Sequence, residues 1–548
     1  MTHLPPTDPE KVPGPERLSL KPVELLALAL LLLLSIALRV HAVGAQSVWI
    51  DEAYSLELAT KNFPAIVAET ARDNHPPLYY LLLAAWARIG PAGESWARML
   101  SVILGVIMVA AFFAFCREIS DGRTALTASA LLAVSPLAVW HSQDARMYAL
   151  MLTTVYLALL FFLRHLRVGS PVSLILFTLM LIGALYTHIY SLFALPAFAV
   201  HLLWAKERTT LIRRRRAAQA LGVVLLSCIP WMFVVMTSAT HEAGFYKPIG
   251  LFSLPYTLFA FSVGYSLGPS VADLHRSWQV PALLPHLGVV VLTAFAFGVA
   301  LVAGLVSLPS RLGRHGLLVV SLLTFPVLLP MGVTLFTRVD FNARYAILAF
   351  PAYLIVVATG LLSLRRTALR LLLGSVMFLL MLASLFNHYT NAAYSKEDAR
   401  SAYRLVEESW KPGDCVFVIG VHSAFRYYSQ ASTIHGRWVD FRSSNRAAAA
   451  EKTIEASSRE CGRVWFVSGR EWEDDPQGLA VPTLRKFFET TSERTVPGIH
   501  VLEMHPRRSS ASWHHGESDP AGMQEFQDCS LNCASEIVPC YDRVCRPA

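Results

Sequence analysis

Apolar residues in this chain come in long unbroken runs, not in the alternations or narrow stripes of a soluble fold. A run of ~20 apolar residues is what an α-helix needs to cross a bilayer. The first run covers roughly 23–43, and others follow at about 95–116, 124–141, 147–164, 171–188, 189–205, 217–237, 281–306, 315–336, 345–364 and 368–388. The pattern therefore predicts a polytopic α-helical membrane protein with about eleven transmembrane helices. Two stretches after the first run behave differently. Residues 54–71 mix apolar and charged positions at helical spacing, which suits a helix lying on the membrane surface. Residues 76–89 are apolar, but ~14 residues are too few to span a membrane unaided, so a juxtamembrane or re-entrant helix is expected.

Charge supports this count. Arginines and lysines gather at Arg117 and Arg123, at Arg164 and Arg167, at Lys206, Arg208 and Arg213 to Arg216, at Arg311 and Arg314, and at Arg365, Arg366 and Arg370. All five loops fall on one side if 76–89 does not cross, and the positive-inside rule makes that side cytoplasmic. The acidic loop after the first span, and everything after residue 388, then lie outside. Composition agrees: 54% of residues are hydrophobic and 16% charged, where a soluble domain carries about a quarter charged. The net charge of +8 sits mostly in short loops, which makes it a topology signal and not a nucleic-acid footprint.

The ends of the chain read differently. Residues 1–21 are Pro-rich and charged, as expected of a disordered cytoplasmic tail. The first apolar run lacks a small-residue cleavage site and is expected to remain as an anchor. The membrane domain is expected over 22–390 and a small extracytoplasmic α/β domain over 391–505. In the latter, Lys396 to Trp410 has helical apolar spacing, while Cys415 to Ile419 and Arg463 to Val467 read as buried strands after turns. No Gly-rich phosphate loop is present. Cys116 and Cys228 are expected to be inert core thiols. Residues 506–548 read as a disordered tail whose Cys529, Cys533, Cys540 and Cys545 fit disulfides better than a zinc template.

Ionisable residues are nearly absent from the interiors of the spans and gather at one set of ends. Asp51 and Glu52 follow the first span, between Trp49 and Tyr54, and Asp73-Asn74-His75-Pro76-Pro77-Leu78-Tyr79-Tyr80 closes the same loop. The later turns carry His141, Asp144, Arg146 and Tyr148, then His188 and Tyr190, then Lys247 in the long loop 238–280, then Arg344 and Tyr345. Idle charges at a bilayer edge cost several kcal/mol, so these groups are expected to face water, each other or a substrate. Each has a plain alternative. The carboxylates suit a helix N-terminus, the prolines a first helical turn, the tyrosines an interfacial belt, and Asp144 with Arg146 a local pair. Their coincidence on one face favours a site. A transporter or flippase would place charges near the midplane, and a scaffold would have no use for such a cluster.

These motifs resemble those of the GT-C glycosyltransferases: Trp-x-Asp-Glu-Ala from Trp49, Asp-x-His-Pro-Pro-Leu-Tyr-Tyr from Asp73, Ser-Gln-Asp-Ala-Arg-Met-Tyr from Ser142, Tyr-Thr-His-x-Tyr from Tyr186 and Arg-Tyr at 344–345. Within that superfamily they are most similar to the bacterial branch related to protein O-mannosyltransferases, lipid A aminoarabinose transferases and lipopolysaccharide glycosyltransferases. The resemblance implies a membrane enzyme, an inverting hexosyl- or pentosyltransferase. Its donor would be a polyprenyl-phosphate sugar and its acceptor a glycan, lipid or protein. It would work among membrane lipids on the periplasmic face of a bacterial inner membrane. It gives Asp51 the role of catalytic base or acceptor-binding carboxylate, beside Glu52, with Asp144 as the second acidic position. It points to His75, Arg146, His188 and Arg344 around the donor, and Tyr79, Tyr148, Tyr190, Lys247 and Tyr345 are further candidate substrate-binding residues. Some relatives hold a divalent metal here and others do not.

The residues themselves fit that chemistry. Inverting transfer requires a base for the acceptor proton and positive charge for the departing phosphate. Asp51 can serve as that base. Arg344 or Arg146 offers the planar fork that matches phosphate oxygens, with Lys247 or a metal as the alternative. Asp144 with His75 or His188 is the candidate ligand set for such a metal. The helix in the first loop and the long loop 238–280 are candidates for a lid.

Overall fold

The computed structural model describes residues 21–204, 210–238, 250, 252–276, 280–336 and 341–507, so Lys247, Arg338, Asp340 and the four C-terminal cysteines lie outside the described residues. The described residues up to Pro506 form one compact unit. Helices dominate. Among the described residues, eight helices are long and apolar enough to cross a membrane: Pro22–Val40, Glu94–Ile119, Tyr148–Val168, Leu211–Thr237, Pro281–Leu312, His315–Phe336, Ala343–Ser363 and Thr367–Thr390. A bent pair, Gly122–Val134 with Pro136–Ser142, would make a ninth. The shorter apolar helices Pro171–Thr187 and Ile189–Trp204 fill the two remaining expected positions. The helix Leu78–Ala87 has only 10 residues, as its short apolar run implied.

Burial orders these helices from centre to rim. The helix Ala343–Ser363 has 89% of its apolar window buried inside the protein and Tyr148–Val168 has 83%, against 17% for Pro22–Val40. The first two form the axis of the bundle. The first span presents Leu26, Leu30 and Leu33 outward, to the apolar surroundings such side chains need. Against the axis, Leu287–Leu312 packs backbone on backbone. A Cβ at Gly304 would lie 2.0 Å from the Val356 carbonyl oxygen, so only glycine permits that approach.

The 58° bend in the third span follows from its sequence. Pro136 donates no backbone N–H and pushes Ser135 into extended backbone (φ −63°, ψ 125°), and Ser135 Oγ then caps the next helix at Ala138. The break leaves carbonyls at its inner edge. Arg39, fully buried at the end of the first span, donates to the Ala133 carbonyl at 3.0 Å, to the Leu132 carbonyl at 3.4 Å and to Ser142 Oγ at 3.1 Å. An arginine within the bilayer thus has its cost offset by serving a broken helix.

In the loop 238–280 the expectation needs correction. Ser253–Val263 is an apolar helix, and its Thr257, Ala260, Phe261, Ser262 and Val263 are buried. Ser262 Oγ lies 2.6 Å from the Tyr353 hydroxyl and Ser384 Oγ donates to the Val263 carbonyl. That part of the loop is bundle wall, not a free lid. Its 11 residues fell below any spanning length and so gave no signal of their own.

The region after the last long helix is the expected α/β domain. Its strands are β1 (Asp414–Ile419), β2 (Gly436–Trp438), β3 (Arg463–Gly469), β4 (Phe488–Val496) and β5 (Ile499–Pro506), in the order β2-β1-β3-β5-β4. The first three are parallel, and β5 runs antiparallel to both β3 and β4. The two strands read from sequence are the central pair. β4 was missed because seven of its nine residues are polar, as an edge strand allows. A disulfide between Cys415 and Cys461 joins the start of β1 to the approach to β3. One face of the sheet shares an apolar cluster with the first loop: Val48 and Ala53 pack with Tyr403, Val418 and Phe425. The acidic helix Ile50–Ala59 is therefore held between the bundle and the sheet domain.

These placements give a direct test of sidedness. Asn62, Glu460 and Arg123 are exposed. Asn62→Cys and Glu460→Cys are expected to react with an impermeant maleimide on intact cells, and Arg123→Cys only after permeabilisation, each over the background of native thiols. Protection of Asn62→Cys in intact cells would reverse the topology.

Candidate active site between bundle and sheet domain

The site starts from two adjacent carboxylates in the first turn of Ile50–Ala59, where negative charge suits the free N–H groups. Neighbouring residues on a helix point about 100° apart, and Asp51 and Glu52 accordingly enter different surroundings. Glu52 is fully buried. Arg98 grips both its oxygens, Nε to Oε1 at 2.8 Å and Nη2 to Oε2 at 2.7 Å. The Ala145 N–H donates to Oε1 at 2.9 Å, and Lys396 Nζ lies 3.3 Å from Oε2. Arg98 goes on to hold the carbonyls of Val43, Gln46 and Ser47. Asp51 is 27% exposed, and its Oδ2 accepts from Arg344 Nη1 at 3.0 Å.

Each remaining group has a local cause for its position. The turn after Ser142 carries Asp144 and Arg146 into the protein. Asp144 is 1% exposed; its Oδ1 accepts from Trp49 Nε1 at 2.8 Å and from Lys396 Nζ at 3.0 Å, and its Oδ2 is buried without a partner. Arg146 Nη1 donates to the Asp51 carbonyl, Ser55 Oγ and the Tyr80 hydroxyl at 3.1–3.3 Å. Arg344 stands at the start of a short 3-10 helix, Ala343–Ala349, and its own backbone N–H donates to the capping Asn342 Oδ1 at 3.2 Å. Asn74 takes the left-handed conformation that its short polar side chain tolerates (φ 57°), and His75 precedes Pro76. His75 Nδ1 donates to the Asp73 carbonyl at 2.6 Å.

Aromatic rings line one side of the carboxylates. The ring of His75 lies 6.4 Å from Tyr80 and 6.5 Å from His188. His188 is 6.0 Å from Tyr148 and 5.1 Å from Tyr190, and Tyr190 is 5.1 Å from Tyr345. The Arg344 guanidinium sits 5.4 Å from the Tyr345 ring. Tyr79 turns away into the core and meets Ser101 Oγ at 3.1 Å.

Electrostatics separate the three acids. Burial raises the Asp51 carboxyl, but Arg146, Arg344, Arg470 and His75 outweigh it and hold it below its ordinary 3.8. Burial raises Glu52 too, and the Arg98 and Lys396 charges more than reverse that, so it stays ionised far into acid. Asp144 goes the other way. Burial lifts it and the Glu52 charge adds to that, with Lys396 opposing.

The structure thus brings Asp51, Glu52, Asp144, His75, Arg146, Tyr148, His188, Tyr190, Arg344 and Tyr345 to one region, while Tyr79 packs behind it. Asp144 and His75, the expected metal-ligand pair, take different partners here. Asp144 faces Lys396 and Trp49, while His75 faces Asp73 and two rings. Among the described residues no three His, Cys, Asp or Glu side chains gather to hold a metal ion. The donor set does not fit such an ion. Sequence reasoning missed Arg98, Lys396 and Arg470. Arg98 had a signal, a charge just inside a predicted span. Lys396 had none, since its partners are 344 and 252 residues away.

Residues 74–233 match the family of dolichyl-phosphate-mannose-protein mannosyltransferases, a stretch that holds His75, Asp144, Arg146 and His188. Among curated proteins no sequence matches the chain. Solved structures share its fold. ArnT from Cupriavidus metallidurans, in the apo state, has a TM-score of 0.53 and 14% identity over 87% of this chain and 97% of that one. The oligosaccharyltransferase AglB from Archaeoglobus fulgidus, in complex with an inhibitory peptide and a dolichol-phosphate, has a TM-score of 0.50 and 12% identity over 88% and 74%. The family match over residues 74–233 and the shared fold are likenesses that agree with the GT-C resemblance of the motifs.

Proposed function

We propose that the protein is an inverting glycosyltransferase that moves a sugar from a polyprenyl-phosphate donor to an acceptor hydroxyl at the outer face of a bacterial plasma membrane. The observation that carries this reading is the exposure of the three acids. Asp51 is 27% exposed, whereas Glu52 and Asp144 are 1% exposed. Only Asp51 of the three is open to an incoming hydroxyl, and its depressed pKa keeps it ionised and ready to accept a proton. Charge supports an anionic donor. Around the three acids stand Arg98, Arg146, Arg344 and Lys396, which leaves one positive charge over. The dolichol-phosphate bound by AglB is a lipid phosphate of the donor's class. The Cys415–Cys461 disulfide suits an oxidising compartment and so supports the outer placement of the sheet domain.

The reaction follows from these positions. The acceptor hydroxyl gives its proton to Asp51 as its oxygen bonds to the anomeric carbon. The bond from that carbon to the phosphate oxygen breaks on the opposite face of the ring, and the lipid phosphate departs with the electron pair. Arg344, now paired with Asp51, is the fork for this phosphate, and Arg146 holds the Asp51 backbone and Ser55 in place. Donor binding therefore draws Arg344 from Asp51 and frees the carboxylate for the acceptor. Glu52 is a positioning residue, since both its oxygens are committed to Arg98, Ala145 and Lys396. The acceptor is read as a cell-envelope glycan, lipid or protein.

Three outcomes test this reading. Asp51→Asn removes basicity at almost constant shape, and transfer from a polyprenyl-phosphate sugar in purified membranes is expected to fall by ~10²–10⁴ at normal protein abundance. Wild-type turnover would remove Asp51 from the mechanism. In the parent protein, the acid limb of kcat/KM is expected below pH 3.8, because Asp51 titrates below that value.

Arg344→Lys keeps the charge and loses the fork. The donor KM is expected to rise about tenfold or more, the size of one charge-assisted hydrogen bond. An unchanged donor KM in Arg344→Ala would move the phosphate to Arg146 or Lys247.

Glu52→Gln leaves buried Arg98 with only Glu94, at 3.8 Å, as a paired carboxylate, and breaking a buried pair typically costs ~3–5 kcal/mol. Its expected signature is a lowered Tm. The pKa of Glu52 is depressed on folding, so its stabilisation is fully present above the ordinary value of 4.5 and lost as pH falls through the folded value. The parent protein should therefore lose Tm below about pH 4.5, and Glu52→Gln should lose less over the same range. Equal Tm in both proteins at neutral pH would contradict the anchoring role.

A further inference from the structure

Lys396 lies between the last long helix, Thr367–Thr390, and the first helix of the sheet domain, Ala399–Ser409. Its ammonium is 3.0 Å from Asp144 Oδ1 and 3.3 Å from Glu52 Oε2. Its side chain is 6% exposed, with the rings of Trp49 and Trp140 at 5.6 and 5.7 Å. Its backbone N–H donates to Gln46 Oε1 at 3.3 Å, and the next residue, Glu397, is pinned by Arg470 at 3.2 Å.

Two carboxylates from different elements each aim one oxygen at this point. Without a cation between them they would repel at short range in a poorly hydrated interior. A divalent ion is one solution, and an ammonium is another. The other groups around the pair decide between them. Trp49 Nε1, Arg98 and the Ala145 N–H all donate to these carboxylates, and none of them has a lone pair to offer a metal. The two tryptophan faces favour a monovalent organic cation. We propose that Lys396 takes the place of a divalent cation between Glu52 and Asp144, so that transfer by this chain needs no metal ion.

The charge that completes the acid cluster then comes from the sheet domain. Lys396 touches no substrate. It fixes Asp144 Oδ1, while Oδ2 is buried and without a partner. It is a positioning residue for Asp144 and, through Glu52, for the helix that presents Asp51.

The inference rests on the transferase reading for its kinetic arm only. The test uses the full-length purified protein and Mn²⁺ as the probe. Wild type is expected to show no stoichiometric bound Mn²⁺ by electron paramagnetic resonance and to keep its transfer rate in a chelator. Lys396→Ala opens a site between two carboxylates. It is expected to bind about one Mn²⁺ per chain, and to lose about 10–100-fold in kcat, the usual loss for a partner that orients an active-site group. The donor KM is expected to change little, with part of kcat returned by Mn²⁺. Lys396→Arg keeps the charge and is expected to exclude Mn²⁺ and hold most of the Tm, so the binding arm stands even if Lys396→Ala folds poorly. Stoichiometric Mn²⁺ on wild type that Asp144→Asn abolishes would overturn the proposal, and so would a folded Lys396→Ala with wild-type kcat and no Mn²⁺ site. Absence of transfer from polyprenyl-phosphate sugars in wild type would sink the transferase reading instead, and the Mn²⁺ result would still decide on Lys396.

Discussion

The bidentate pair of Arg98 with Glu52 is the contact on which the site depends. Both groups are buried, and neither is tolerable alone in such surroundings. The pair converts that cost into geometry. Arg98 collects the carbonyls of Val43, Gln46 and Ser47 and so sets the path from the first span to the acidic helix. Glu52 reaches across to the Ala145 N–H and fixes the turn that carries Asp144 and Arg146. Its remaining contact, with Lys396, draws in the sheet domain. Four separate stretches of chain meet at one carboxylate. Asp51, one residue away, inherits a rigid position without spending its own oxygens on structure.

Acidic side chains thus do different work by environment. Asp51 is partly exposed and paired with an arginine, Glu52 is locked by two cations, and Asp144 is dried by burial and held through one oxygen. Glu52 and Asp144 stand against Arg98 and Lys396 as a neutral group, while Asp51 stands against Arg146 and Arg344 with one positive charge in excess. Arg39 shows the same economy elsewhere, since its charge is buried against the carbonyls that the Pro136 bend releases.

Much of this fold was legible because the bilayer imposes a length on apolar runs. All eleven expected segments have helical counterparts, and the 10-residue helix Leu78–Ala87 stayed short as its sequence required. Hydropathy says nothing about helices below that length, so Ser253–Val263 passed for loop. The candidate site was legible as a list, since charges at span ends are costly and therefore conspicuous. The division of labour within it was not. Asp51 and Glu52 are adjacent, and only the helix angle between them, with Arg98 and Arg344 waiting on different sides, tells reacting group from anchor. Lys396 sat in an amphipathic stretch that looked like ordinary surface helix, and no periodicity marks a side chain that turns inward to meet partners hundreds of residues away.

The central claim is that Asp51 is the carboxylate that takes the proton while Glu52 and Asp144 hold the frame. Chemical rescue addresses it most directly. Asp51→Gly leaves a gap that formate fills, and transfer by that variant should rise with formate concentration toward the parent rate. Asp144→Gly and Glu52→Gly should not respond, because their loss disorders the frame and does not remove a base. Rescue of Asp144→Gly by formate, with none for Asp51→Gly, would contradict the account.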